Sequence, residues 1–311
     1  MTGQLRRRST IWLLATAIAA AACGGAASGG TPQGTAIGAE PAESVVADTS
    51  RVVTLSGDLT EILWELGLGD SVVAVDVTTV HPPEALELPV VGVGRFLNAE
   101  AVLAQSPTLV IGDTQTSPLD AIDQIRSAGI PVLITDVATT FDELADKITT
   151  LARDLGAEDA GVALNERISS QLAQVLAGLD KFATPPRLAF VYSRGPDVML
   201  LFGEGMTTQP LIEATGGIDV GAASGVVGTV PVTAEALVSA APDILITTSE
   251  GLAALGGIDG LLALPGFAET PAGRDGRILT YPEGDVLTFG PRIVSTLEQL
   301  SLDLRTALEE Q

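Results

Sequence analysis

The residues best suited to holding a metal or attacking a substrate are scarce: one histidine, His81, one cysteine, Cys23, and two tyrosines among 311 residues. His81 lies in DVTTVHPPEA, directly before two prolines. Pro82 biases the residue ahead of it toward extended backbone, so the stretch is a sound turn as it stands. An imidazole there is equally a ligand, and both readings stand. No catalytic constellation surrounds it. A hydrolase triad needs a nucleophile elbow, and Ser224 in GAASG has alanine where the first glycine belongs. GEG at 203–205 lacks the third glycine of a dinucleotide fingerprint, and G-x-x-x-x-G-K-[ST] does not occur. One histidine is too few for the usual extracytoplasmic zinc or manganese site. Carboxylates are so abundant that no pair stands out. An enzyme is therefore not expected, and the remote catalytic alternative is a carboxylate-dependent extracytoplasmic hydrolase.

Cys23 belongs to the N-terminus. Arg6, Arg7 and Arg8 precede an apolar stretch from Ile11 to Ala22 that is too short to span a bilayer comfortably, and small residues lead into AAACGG. That order reads as a lipoprotein signal peptide over 1–22, with Cys23 diacylated as the new N-terminus; an uncleaved anchor is the other reading. GGAASGGTPQGTAIGAE then supplies a flexible tether over 23–47. Removing the three arginines of the first 22 residues lowers Lys+Arg from 16 to 13 against 39 Asp+Glu, a net charge of −26. Such a surface repels nucleic acid and anionic headgroups, so no nucleic-acid partner is expected and membrane contact is left to the lipid anchor. The expected location is extracytoplasmic, on the outer face of the cell membrane. A single cysteine allows no internal disulfide, so stability must come from apolar burial.

Elements that could position these residues follow from periodicity. RVVTLS, SVVAVD, TLVIGD and PVLITD read as strands separated by the helical stretches DLTEILWELG, AEAVLAQS and PLDAIDQIRSAG. This is β-α-β rhythm, which builds a parallel sheet covered by helices. A helical stretch runs through Phe141–Leu155 and Ala157–Asp180, with Val162, Ile168, Leu172, Val175 and Leu179 at helical spacing. The α/β rhythm resumes with RLAFVYS and DILITT and closes on a helix from about Ile293. The spacing predicts an N-terminal α/β lobe over 48–155, a connecting helix over 156–183 and a C-terminal α/β lobe over 184–311. LNAEAVLAQSPTLVIGD at 97–113 also aligns without gaps to VTAEALVSAAPDILITT at 232–248. Each copy puts a glutamate, Glu100 or Glu235, in a first helical turn, where the macrodipole favours an acid. That accounts for acidity but not for the symmetry between lobes.

Across roughly residues 48 to 308 the chain resembles the substrate-binding lipoproteins of iron-complex and cobalamin ABC importers. VVAVDVTTVHPPEA followed by LPVVG, LNAEAVLAQSPTLVIGD, QIRSAGIPV and VTAEALVSAAPDILIT carry the likeness. FVYSRG with LFGEG, GGIDGLLALPGFAETPAGRDGRI and LTFGPR bring it nearest to haem-binding members of the HmuT type from actinobacteria. The resemblance implies two Rossmann-like lobes with parallel-type sheets joined by a long backbone helix, the ligand in the interlobe cleft. It implies little closure on binding, because a helix spanning both lobes has no loop hinge. The implied ligand is haem as transported cargo, with a ferric siderophore or cobalamin as the alternative, and the implied partners are an ABC permease and its ATPase.

The resemblance also assigns residues. Tyr192 and Arg194 match a tyrosine ligand with an arginine two residues on; a phenolate is a hard anionic ligand for Fe(III), and a nearby cation favours it. Arg95, in GRFLNAE, stands where actinobacterial relatives resemble GHxLNAE and have an axial histidine. A guanidinium does not ligate iron but can pair with a haem propionate. His81 then reads either as a relocated axial ligand or as a wall or turn residue, since siderophore and cobalamin binders often carry YPPEA there. Met206 and Met199 flank LLFGEG as lesser candidates for a second ligand. Glu100 and Glu235 match the glutamates that meet permease arginines in related systems. For the N-terminus, mass spectrometry of membrane-associated protein should find a diacylated Cys23, and Cys23→Ala should be released from the membrane; any other mature N-terminus refutes the lipobox.

Overall fold

The computed structural model describes residues 47–92, 97–179 and 182–309. Cys23 and Arg95 lie outside the described residues. The described residues belong to one compact unit, built as two α/β lobes.

The first sheet has the order β2-β1-β3-β4, with β1 (Val52–Thr54), β2 (Val72–Ala74), β3 (Leu109–Asp113) and β4 (Val132–Thr135) all parallel. Helices α1 (Gly57–Glu65), α2 (Ala99–Leu103) and α3 (Leu119–Ser127) join them. β1 and β3 are buried along nearly their whole length, which is why they read as unbroken apolar runs and not as alternating strands. The second sheet has the order β10-β9-β5-β6-β8, from β5 (Arg187–Ser193), β6 (Met199–Phe202), β8 (Thr229–Pro231), β9 (Ile244–Thr248) and β10 (Ile278–Tyr281), with β7 (Ile218–Asp219) on β5. β5, β9 and β10 are parallel, whereas β6 pairs antiparallel with β5 and β8 antiparallel with β6. The β-α-β rhythm did not predict this antiparallel arm, because strands of four and three residues are too short to display a period of two.

Two helices connect the lobes in sequence, α4 (Phe141–Asp154) and α5 (Glu158–Gly178). α4 begins on a capping box: the Glu143 amide donates to the Thr140 hydroxyl at 3.2 Å, and the Thr140 amide to the Glu143 carboxylate at 3.1 Å. α5 buries Gly161, Leu164 and Ile168. Val162, expected on the packed face, is instead 59% exposed, because the contact with α4 centres on its neighbour Gly161. Among the described residues no helix is long and apolar enough to cross a membrane.

Three apolar clusters hold the fold. One lies on the first sheet around Val53, Val110 and Ile125, and one on the second around Ala189, Val191 and Leu245. The third runs through both lobes, from Val52 and Ile62 by way of Leu164 and Ile168 of α5 to Phe190, Ile246 and Leu297.

Polar groups are buried at the carboxyl ends of the first sheet. Lys147 of α4 reaches Asp58 in the first turn of α1, Nζ to Oδ2 at 2.5 Å, with both side chains nearly inaccessible, and the Ser56 hydroxyl donates to the other Asp58 oxygen. Asp76, just past β2, accepts from the Thr78 amide at 3.1 Å and the Thr78 hydroxyl at 2.7 Å through Oδ1, while Oδ2 is buried without a hydrogen-bond partner among the described residues. Burial pushes the Asp76 carboxyl up to about 6, Thr78 opposing and Asp113 and Asp58 adding to the effect. The folded state thus holds this proton more tightly than the unfolded chain, and stability is lost as pH rises from about 4 to about 6. Asp76→Asn should stabilise the fold at pH 7 by roughly 1–3 kcal/mol and flatten that slope. Urea unfolding at pH 4, 6 and 7.5 checks it, and identical slopes in both proteins would refute it.

Candidate functional site

In open α/β sheets ligands bind beyond the carboxyl ends of the strands. On the second sheet that edge carries Tyr192, next to last in β5, and the starts of the segments after β9 and β10. The Tyr192 ring is half-buried, 6.0 Å from the Phe202 ring, which in turn packs 4.9 Å from Phe190. After β5 the chain turns tightly, the Arg194 amide donating to the Val198 carbonyl at 3.0 Å. Gly195 takes φ 87°, a conformation costly for any residue with a Cβ. The turn brings Arg194 back over Tyr192: its Nε donates to the Tyr192 hydroxyl, and its Cζ lies 5.5 Å from the ring centroid. The Arg194 Nη2 donates to Glu283 Oε2 at 2.9 Å. The Glu283 amide donates to Glu250 Oε2 at 3.0 Å, so one hydrogen-bonded row crosses the edges of β5, β9 and β10. Burial raises the Glu283 carboxyl, Arg194 opposing it. The second tyrosine, Tyr281, is buried and donates to Asp303 Oδ2 at 2.7 Å; burial and that carboxylate push its phenol far up. Tyr192 is therefore the more accessible of the two phenols.

The first lobe contributes the loop after β2. Its base is pinned by amide-to-carbonyl bonds from Val75 to Pro89 at 3.0 Å, Val91 to Val75 at 2.9 Å and Val77 to Gly92 at 3.1 Å. His81 is half-buried on this loop. Burial, and then the Arg292 charge, push its imidazole below the usual range against the opposing pull of Glu84, Asp285 and Glu65, which favours its neutral form. Val77 and Val80 beside it are 50% and 40% exposed, and Val198 next to the Arg194 turn is 41% exposed. Both lobes thus present apolar surface, near His81 in the first and near Arg194 in the second.

The two walls meet through the segment that follows β10. A Cβ on Gly284 would stand 2.1 Å from Val80 Cγ2, so the His81 loop lies directly on that glycine. A Cβ on Gly290 would stand 3.1 Å from Glu61 Oε2 and from Asp58 Cβ, placing this segment on α1. Phe289 packs edge-on to Phe141 at 5.2 Å. Arg292 donates to Glu61 from Nε at 2.9 Å and to Asp285 from Nη1 at 2.8 Å. Burial pushes the Glu61 carboxyl up to about 6 in spite of that guanidinium.

The remaining expected site residues are placed as follows. Met206 is half-buried between β6 and the helix Thr208–Ala214, its side chain on the core shared by both lobes. Glu100 and Glu235 are exposed in the first turns of α2 and of the helix Ala234–Ala240. The caps of these helices are Asn98, accepting from the Glu100 and Ala101 amides, and Thr233, accepting from the Ala236 amide, so neither glutamate is needed as a cap. Glu283, Glu61 and Arg292 were not singled out from sequence. Arg292 sits in the LTFGPR stretch already noted; Glu283 is one acid among 39 acidic residues and gave no signal.

A model of the periplasmic binding protein family matches residues 52–284. Among solved structures, the periplasmic haem-binding protein RhuT from Roseiflexus sp. RS-1 is 38% identical, with a TM-score of 0.80 over 83% of this chain and 98% of that one. The haem-binding protein HmuT is 35% identical, with a TM-score of 0.79 over 83% of this chain and 85% of that one. Among curated relatives, an ABC transporter substrate-binding lipoprotein, YvrC of Bacillus subtilis, is 26% identical over 83% of this chain and 81% of its own length. A cobalamin-binding protein of Halobacterium salinarum is 28% identical over 82% of this chain and 69% of its own.

The close seating of Val80 on Gly284 is testable. Gly284→Ala forces the stiff valine side chain, and the His81 loop with it, to move, and should lower stability by about 1–3 kcal/mol. Thermal unfolding checks this; an unchanged melting temperature would mean that the loop yields freely.

Proposed function

The chain belongs to the periplasmic binding protein family, and we propose that it captures haem outside the cytoplasm and delivers it to an ABC permease and its ATPase. The observation that carries this reading is the Tyr192 hydroxyl held by the Arg194 guanidinium at the carboxyl edge of β5. The phenol would ligate Fe(III) and the guanidinium would stabilise the phenolate. Three further observations support it. Structures similar to this chain bear haem-binding names. HmuT variants among them replace with alanine a histidine, a tyrosine or an arginine two residues after that tyrosine, the spacing of Tyr192 and Arg194 here. The exposed valines around His81 and Arg194 suit a flat apolar macrocycle.

His81 is proposed as the opposite wall and a candidate axial ligand, Arg95 as a propionate partner, and Met206 as a lesser contact. Glu100 and Glu235, exposed and not needed as caps, are proposed to dock the permease, one from each lobe. Cys23 is proposed to anchor the chain by lipid, with 23–47 as tether, 48–155 and 184–311 as lobes and 156–183 as connector. The family is one of binding proteins, which leaves the hydrolase reading without support. The cobalamin-binding names of curated relatives keep cobalamin, or a ferric siderophore, as the second reading.

Absorption titrations with haemin, cyanocobalamin and a ferric siderophore test the reading. Haemin should produce a Soret band with phenolate charge-transfer bands. Tyr192→Phe should abolish those bands and weaken binding by about tenfold or more, a loss on the order of 1.4 kcal/mol. His81→Ala should change the spin state if His81 is axial and leave it unchanged if His81 is a wall residue. A Tyr192→Phe spectrum identical to wild type overturns the ligation, and cobalamin or siderophore binding then becomes the better reading.

A further inference from the structure

We propose that Arg292 is a positioning residue that sets the distance between the two walls of the cleft. The guanidinium spans the lobes. Nε and Nη2 reach Glu61 Oε1 on α1 of the first lobe at 2.9 and 2.8 Å, and Nη1 reaches Asp285 Oδ1 of the second at 2.8 Å. The Glu61 side chain is only 5% exposed, so without Arg292 its charge is left buried and unpaired. The segment that Arg292 anchors touches both walls. At its start Glu283 holds Arg194 on Tyr192, and Gly284 lies under Val80, one residue before His81. At its end Gly290 lies on α1. Among the described residues no hydrogen bond joins Arg292 to Tyr192 or His81; besides the effect of its charge on His81, it acts on the site through the placement of this segment. The fork geometry matters, because a lysine ammonium is a single point and cannot hold Glu61 and Asp285 in the same planar arrangement.

This role concerns the protein itself, and only its consequence for affinity rests on the haem reading. The full chain carrying Cys23→Ala is spin-labelled at Glu100→Cys and Glu235→Cys, one exposed site in each lobe, and the label-to-label distance is measured without ligand. A control pair at Glu100→Cys and Asp123→Cys lies within the first lobe. Arg292→Ala should broaden or lengthen the between-lobe distribution and leave the control pair unchanged. Arg292→Lys should do the same, and Glu61→Gln, which keeps an acceptor, should fall between. If the cleft then visits its competent spacing a tenth of the time, haemin affinity falls about tenfold with the phenolate bands retained. An unchanged between-lobe distribution in folded Arg292→Ala overturns the proposal. Should that variant not fold, an unchanged distribution in both Arg292→Lys and Glu61→Gln overturns it. Altered distances with undiminished haemin affinity overturn the link to the site. If the wild type binds no haemin, the haem reading falls while the distances still decide the role of Arg292.

Discussion

A single apolar core passes beneath both sheets, and the cleft owes its shape to that continuity. Ile62 of α1, Leu164 and Ile168 of α5, and Phe190, Ile246 and Leu297 of the second lobe belong to one buried cluster. Interiors are packed as densely as organic crystals, so neither lobe can rotate far without opening a void in the shared cluster. Above that cluster the lobes meet through a few small contacts, one of them polar. There Val80 sits on Gly284, Phe289 on Phe141, and Arg292 between Glu61 and Asp285. The side chains that face the cleft are therefore positioned by a few rim contacts laid over a rigid base.

Electrostatics sort these contacts by strength. With 16 Lys+Arg against 39 Asp+Glu, cations near the cleft have carboxylate partners before any ligand arrives. The pairs are not equivalent. Lys147 and Asp58 are both buried, and removing either partner costs about 3–5 kcal/mol, which marks this pair as structural. The Arg194 side chain is 59% exposed where it meets Glu283, whose own side chain is 20% exposed, so this pair is less buried than Lys147–Asp58. Arg292 lies between these extremes, partly exposed itself but bound to a buried partner.

Much of the architecture was legible in the residue pattern, because both sheets are built mainly from buried parallel strands whose apolar runs are separated by helical periods. β1 to β4, α1 to α5, β5 and β9 all fall where the pattern predicts them. Tyr192 and Arg194 were legible as a pair through the family resemblance of VYSRG, and in the structure the turn after β5 returns the arginine to the ring. Periodicity could not show the antiparallel strands β6 and β8, which are too short, or the exposure of Val162, which depends on where α4 crosses α5. Nor could it show the partners of Arg194 and Arg292. Glu283 lies 89 positions from Arg194, and Glu61 lies 231 from Arg292, and nothing local marks them among so many acids. Sequence determined what local spacing controls, namely element type, the parallel rhythm and the repeated glutamates, and its resemblance to a family marked the tyrosine-arginine pair. Tertiary structure alone decided which carboxylate faces which cation and how the His81 loop meets the second lobe, because those contacts join segments distant in sequence that only the strand order and the packing of the two lobes bring together.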